Sequence, residues 1–316
     1  MVSSFGRTIH VDRDRTYNGH PRELPPIVEI DSGDVLDLDL VDSSGGQLHQ
    51  GSTVADVPGL DISRANPTLG PILVRGSRPG DVLQVDILET RPQTWGYTVQ
   101  FPGNGILPDL YPDPWIHIWH IEDGKGYFTD HVRVPLQPFP GVIATAAAVD
   151  PPQPATHTPI RVGGNLDLKH LFAGSSIYLP VEVDGALLSI GDPHWAQGDG
   201  EVCGSAIEGA IDCTIRVTVR RDLVVESPEL DVRGPIERPG AAAAGYHVTT
   251  GIHADLRTAA RISIERMIAY LVAQRELDRQ QAYALCSVAA DLKISEVVDA
   301  PNWVVSAFLP NDLFVA

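Results

Sequence analysis

Period-two alternation restricts this chain more than any other feature. Val35-Leu36-Asp37-Leu38-Asp39-Leu40 sets three leucines against two aspartates. Ile211, Cys213, Ile215, Val217 and Val219 alternate in the same way with Asp212, Thr214, Arg216, Thr218 and Arg220. Successive side chains of a strand point to opposite faces, so these stretches read as half-buried strands. Further apolar runs at 27–30, 71–75, 82–88, 141–144, 177–183 and 186–190 are separated by turns such as Arg78-Pro79-Gly80-Asp81. Short strands punctuated by glycine and proline predict a sandwich or barrel. Asp184-Gly185, between two apolar runs, predicts a β-hairpin that delivers the chain into an acidic loop.

The pattern changes near the C-terminus. Leu256, Ala260, Ile264, Met267, Ile268 and Leu271 share one face of a helix, with Asp255 as its N-cap. Asp278 opens a second helix with an apolar stripe at Ala282, Leu285, Cys286 and Ala289, and a last strand is expected at 303–310. The expected fold is therefore mainly β (α+β) with a C-terminal pair of helices. The Pro-rich segment 150–154 divides an N-terminal half, 1–150, from a C-terminal half, 151–316, unless the two form one intimate domain.

Asp and Glu outnumber Lys and Arg by 41 to 23, a net charge of -18, which argues against nucleic-acid or anionic-membrane partners. Three widely spaced cysteines form neither a disulfide framework nor a zinc knuckle. With no apolar leader and no run long enough to span a membrane, the expected location is the cytoplasm.

The stretch 191–208 concentrates chemistry. It carries Asp192, His194, Asp199, Glu201 and Glu208 with four glycines and no lysine or arginine. Crowded carboxylates repel, and a divalent ion is the simplest positive partner. Asp192 and His194 are two apart, so on an extended strand both project to one face, which is a chelating geometry. Gly163-Gly164-Asn165-Leu166-Asp167 repeats the i, i+2 spacing, and the two pairs are expected to face each other across a site. One imidazole with several oxygen donors suits zinc, with calcium or another divalent ion as alternatives. Such an ion polarises a carbonyl and activates water, and a carboxylate outside the ligand set takes the water's proton. Spacing leaves Glu201 and Glu208 unranked for that task.

Plainer readings stand beside these. Asn165 and Asp167 are also Asx-turn residues, His194 also a satisfied loop histidine, and Lys169 an ordinary ion-pair partner. Extending the 211–220 alternation backwards places Glu208 on that strand's polar face. Trp115, His117 and Trp119 alternate beside His120 and either line a pocket or cover a loop. Cys203 is a weak thiol-nucleophile candidate, and there is no G-x-S-x-G elbow, P-loop or strand-borne G-x-G-x-x-G.

In order along nearly the whole chain, several motifs resemble the acetamidase/formamidase family. They include Asn66-Pro67, Arg78-Pro79-Gly80-Asp81-Val82-Leu83, Pro138-Phe139-Pro140-Gly141-Val142-Ile143 and Gly163-Gly164-Asn165-Leu166-Asp167. The most specific is Gly185-Ala186-Leu187-Leu188-Ser189-Ile190-Gly191-Asp192-Pro193-His194, followed by Gly198-Asp199-Gly200-Glu201-Val202. The resemblance implies a β-rich amidase fold, assembly as a homodimer or homotetramer, and hydrolysis of a short aliphatic amide to carboxylate and ammonia. It also implies a divalent-metal site where the two segments meet near Glu201. On this reading Asp167, Asp192 and His194 hold the ion, Glu201 is the general base, and Glu208 orients it or adds a ligand. Asn165, Trp195 and Trp115 contact substrate, and Pro193, Trp195 and the aromatic 115–120 segment depart from the expected pattern in ways that bear on acyl size. Two other readings are a non-catalytic β-sandwich that binds a sugar or carboxylate through a metal, and an amidohydrolase for a larger cyclic or carbamoylated amide.

Overall fold

A computed structural model describes residues 6–151, 156–233 and 244–315. Three sheets hold the strands among the described residues. The alternating strands lie where their pattern requires. Val35–Leu40 and Ile211–Arg220 pair antiparallel in a six-stranded sheet, with Leu36, Leu38, Leu40, Ile211, Cys213, Ile215 and Val217 buried on one face. Val82–Pro92 continues that sheet on the other side of Ile211–Arg220, followed by Ser176–Pro180.

The second sheet has twelve strands and is built around Leu188–Ala196. All nine residues of that strand are buried, as expected of a strand covered on both faces. Phe139–Ala144, Thr68–Val74 and Ile207–Glu208 all pair with it. The buried faces of the two sheets share one continuous apolar cluster, which also takes in Met267, Leu271 and Leu285 from the helices. Strands from before and after residue 150 alternate within both large sheets. Of the proposed boundary segment, residues 152–154 lie outside the described residues.

Helix α1, Leu256–Gln274, is capped by Asp255, whose carboxylate accepts from the Thr258 amide at 2.8 Å. Helix α2, Arg279–Ala289, begins with a capping box between Asp278 and Gln281. A three-stranded sheet, Tyr246–His253, Trp303–Pro310 and Asp291–Glu296, accompanies the pair. Residues 282–289 of α2 are all buried, and the helix serves as an anchor for the acidic segment. Tyr283 Oη donates to the Val202 carbonyl and accepts from the Ile106 and Leu107 amides, while Ser287 Oγ accepts from Cys203 N and donates to Ser205 O. No helix among the described residues is long and apolar enough to cross a membrane.

Two local expectations need correction. Asp184-Gly185 forms no hairpin: Ser176–Pro180 belongs to the six-stranded sheet and Leu188–Ala196 to the twelve-stranded one. The turn crosses between sheets and is held by Val74 N donating to Gly185 O and Gly185 N donating to Ser77 O. The residues from Asp192 to Ala196 are likewise no loop but the second half of the central strand.

Candidate active site

Strand register assembles the acidic cluster. Gly163–Asn165 pairs with Phe139–Ala144, which pairs in turn with Leu188–Ala196, and Val142 stands opposite both Asn165 and Gly191. Asp167 follows this short strand in a turn whose 166 and 167 amides donate to the Gly141 carbonyl. The result brings Asp167, Asp192 and His194 together, one donor atom of each lying within 4.8 Å of the others. Residue 141 has to be glycine here, since a Cβ would stand 2.6 Å from Asp167 Oδ1 and 3.0 Å from Asp192 Oδ2.

His194 also belongs to a second such group, with Glu201 and Glu208. Its Nε2 lies 3.4 Å from Asp192 Oδ1 and 3.3 Å from Glu208 Oε2. Its Nδ1 lies 2.8 Å from Gln197 Oε1. Gln197 Nε2 donates to the Asp167 carbonyl, which can only accept, so Oε1 must face the imidazole and Nδ1 carries a proton. Nε2 is thereby turned toward the carboxylates. Glu208 sits on the two-residue strand Ile207–Glu208 opposite His194, and not on the polar face of Ile211–Arg220, because Gly209 and Ala210 separate the two strands. Its Oε1 accepts from Ala206 N and Ser205 Oγ.

The remaining oxygens are unmatched. Asp167 Oδ1, Asp192 Oδ1, Glu208 Oε2 and Asn165 Oδ1 are buried with no hydrogen-bond partner. Burial, followed by the nearby carboxylates of Asp192 and Glu208, pushes the Asp167 carboxyl up to about 7 against the pull of His194. Burial raises Glu201 well above the carboxylate range, with Asp167 adding to it, and raises Glu208 as well. Burial alone would lower His194, yet the carboxylates of Glu208 and Asp192 prevail and hold it well above its ordinary value. Lys169, two residues from Asp167, is engaged elsewhere by Asp199 and Asp291. Left-handed backbone also occurs at the site. Asn66, Asp167, Asp192 and Glu201 all have positive φ, between 42° and 52°, a conformation that non-glycine residues hold only where the surroundings impose it.

A donor set of one imidazole nitrogen and converging carboxylate oxygens that lack hydrogen-bond partners fits a divalent cation. The cluster lines a cavity of about 600 Å³, within the usual ~300–1,000 Å³ range of small-molecule sites. Asn165, Asp192, His194, Glu201 and Glu208 line it. Neither tryptophan does. Trp195 is fully buried between Gly96 and Gly209 and donates to Ala210 O. Trp115 packs on His117 and Phe128, so the 115–120 segment closes an aromatic cluster away from the cavity. The three thiols are buried and free, and burial pushes Cys203 up to about 12, which leaves it inert as a nucleophile.

The acetamidase/formamidase family model matches residues 4–157 and 151–316. The chain belongs to this family. Among its members, the formamidase of Methylophilus methylotrophus is 28% identical over 93% of this chain and 88% of its own. The acetamidase of Mycolicibacterium smegmatis is 31% identical over 63% of this chain and 66% of its own. Of solved structures, a γ-lactamase from Delftia acidovorans superimposes with a TM-score of 0.87 at 25% identity, covering 96% of this chain and 90% of that one. An acetamidase from Bacillus halodurans gives 0.68 at 31% identity, covering 96% and 97%. Family membership makes the chain an amidase, a hydrolase of non-peptide amide bonds, and sets aside the non-catalytic binding module.

Sequence reasoning missed several residues. Gln197 stands three places after His194, a spacing that carries no ligand signal on a strand. Tyr97, Ser43 and Ser44, which reach the cavity through a network anchored on Asp42, come from distant segments.

Proposed function

We propose that this amidase is metal-dependent, with Asp167, Asp192 and His194 holding one divalent ion. The observation that carries this reading is the convergence on His194 Nε2 of buried carboxylate oxygens that have no hydrogen-bond partner. When bound, a divalent ion supplies Lewis acidity, polarising an amide carbonyl and lowering the pKa of water. Zinc suits the imidazole best, and calcium is the alternative for an oxygen-dominated set.

The chain's own groups do the rest. Gln197 fixes the imidazole so that Nε2 faces the ligand position. Asn165 presents its amide at the cavity and anchors the substrate carboxamide. Glu201, its pKa raised by burial, is the general base: it takes a proton from the attacking water and returns it to the leaving nitrogen. A C–O bond forms, the C–N bond breaks, and carboxylate and ammonium leave. Glu208, with Oε1 held by Ala206 and Ser205, keeps Oε2 directed at His194 and orients it or adds a ligand. Three free buried cysteines suit a reducing, cytoplasmic location, and a homodimer or homotetramer is the assembly adopted in this reading.

Glu201→Gln tests the division of labour. Ammonia release from acetamide and propionamide is expected to fall by about 10²–10⁴-fold while bound metal is unchanged. Near-normal turnover in that variant would remove Glu201 from the mechanism.

A further inference from the structure

We propose that the preferred substrates are neutral amides with an apolar body of several carbons, larger than formamide or acetamide. This rests on the hydrolytic reading above and specifies which amides the site takes.

The cavity carries two chemically distinct sets of lining groups, which adjoin where Tyr97 pairs with Glu208. Asp192, Glu201, Glu208 and His194 make up the first. Leu48, Leu60, Ile62, Val99 and Phe101 make up the second. Leu48 and Val99 are almost fully buried and, with Val57 and Tyr97, form an apolar cluster separate from the main core, against which Leu60 and Phe101 pack. This wall comes from the 48–62 segment, which also brings Asp61 to the cavity, and from Gly96–Gln100 and its continuation, elements that contribute none of the proposed ligands or catalytic carboxylates. A formyl or acetyl group held at the carboxylates leaves most of about 600 Å³ to water beside apolar side chains, whereas a longer or branched acyl chain would cover them.

Charge narrows the class further. Asp61, Asp192, Glu201 and Glu208 line the cavity, and no lysine or arginine is among the described lining residues. Beyond the position proposed for the ion, an anionic tail would find no lysine or arginine among these lining residues and would meet Asp61 beside Leu60 and Ile62.

The test uses the full-length, metal-loaded protein and ammonia release from formamide, acetamide, propionamide, 4-methylpentanamide and succinamate. The last two have nearly the same shape and differ in charge. Each added methylene that reaches the wall is expected to raise kcat/KM roughly fourfold, so 4-methylpentanamide should exceed acetamide by at least about tenfold and succinamate by a similar margin. Formamide or acetamide as the best substrate, or succinamate equal to its neutral counterpart, would overturn the proposal and leave the amidase reading intact. No turnover anywhere on the panel would overturn both. Leu60→Trp, which fills the half-buried rim of the wall, is expected to lower the 4-methylpentanamide-to-acetamide ratio about tenfold, and an unchanged ratio in a folded variant counts against the proposal.

Discussion

His194 shows how much a single side chain is asked to do here. One ring nitrogen is committed to Gln197, and the other faces two carboxylates from different strands. Gln197 is doubly tied, through its amide nitrogen to the backbone of Asp167 and through its oxygen to the imidazole. It therefore couples two proposed ligands without being one. Partners of this kind set ligand orientation, and their loss typically lowers metal affinity about 10–100-fold. Gln197→Leu, which keeps the volume and removes both hydrogen bonds, is expected to lose divalent-ion affinity by that factor, measured by competition with a chromophoric chelator. His194→Ala should abolish stoichiometric binding altogether. Gly141 marks the complementary constraint, since the space it leaves is filled by the oxygens of Asp167 and Asp192. Gly141→Ala is expected to weaken ion binding because one or both carboxylates must swing away.

At the scale of elements, the buried helix α2 carries no cluster residue but positions two of them. Tyr283 and Ser287 together fasten the 202–205 turn between Glu201 and Glu208. Tyr283→Phe removes one hydroxyl and leaves two amides and a carbonyl without it, so the expected loss is about 1–3 kcal/mol of stability, read from denaturant unfolding, together with reduced kcat. The strands themselves were legible in the sequence wherever one face is wet. Val35–Leu40 and Ile211–Arg220 announce their inner faces by strict alternation. Leu188–Ala196 does not, because both of its faces are covered and periodicity vanishes. Its polar and glycine residues then read as a loop, and the Asp-Gly turn before it as a hairpin. Asp-Gly specifies the backbone of a tight turn, not which sheet each flanking strand will join. The two i, i+2 pairs pointed to one another correctly, since the strand between them enforces their register. The tryptophans were misplaced for the converse reason: alternation put Trp195 on the face opposite His194, against Gly96 and Gly209.

For the whole molecule, the acidic cluster is a local liability that a cation relieves. Asp167, Glu201 and Glu208 have raised folded-state pKa values, and so does His194. Between the ordinary carboxylate value of 3.8 and about 7, the folded Asp167 binds protons that the unfolded chain has released. Its contribution is present in full below the unfolded value and lost as pH rises through the folded one, and the other three groups act in the same direction. Metal-stripped protein is therefore expected to be less stable at pH 8 than at pH 5 on account of this cluster, while the ion, which needs deprotonated ligands, stabilises more as pH rises. Thermal unfolding across that range with and without divalent ion checks both signs. The wider architecture sets the site in a well-supported place. Two large sheets share one apolar core, and the strand bearing Asp192 and His194 sits in the middle of the larger sheet.

The most direct test of the metal centre is a titration of metal-stripped protein with zinc, following bound metal by elemental analysis and ammonia release from a neutral amide in the same samples. Turnover is expected to be absent at the start and to rise in proportion to bound ion, levelling at about one per chain. Full turnover in a sample verified to contain no divalent metal would contradict it.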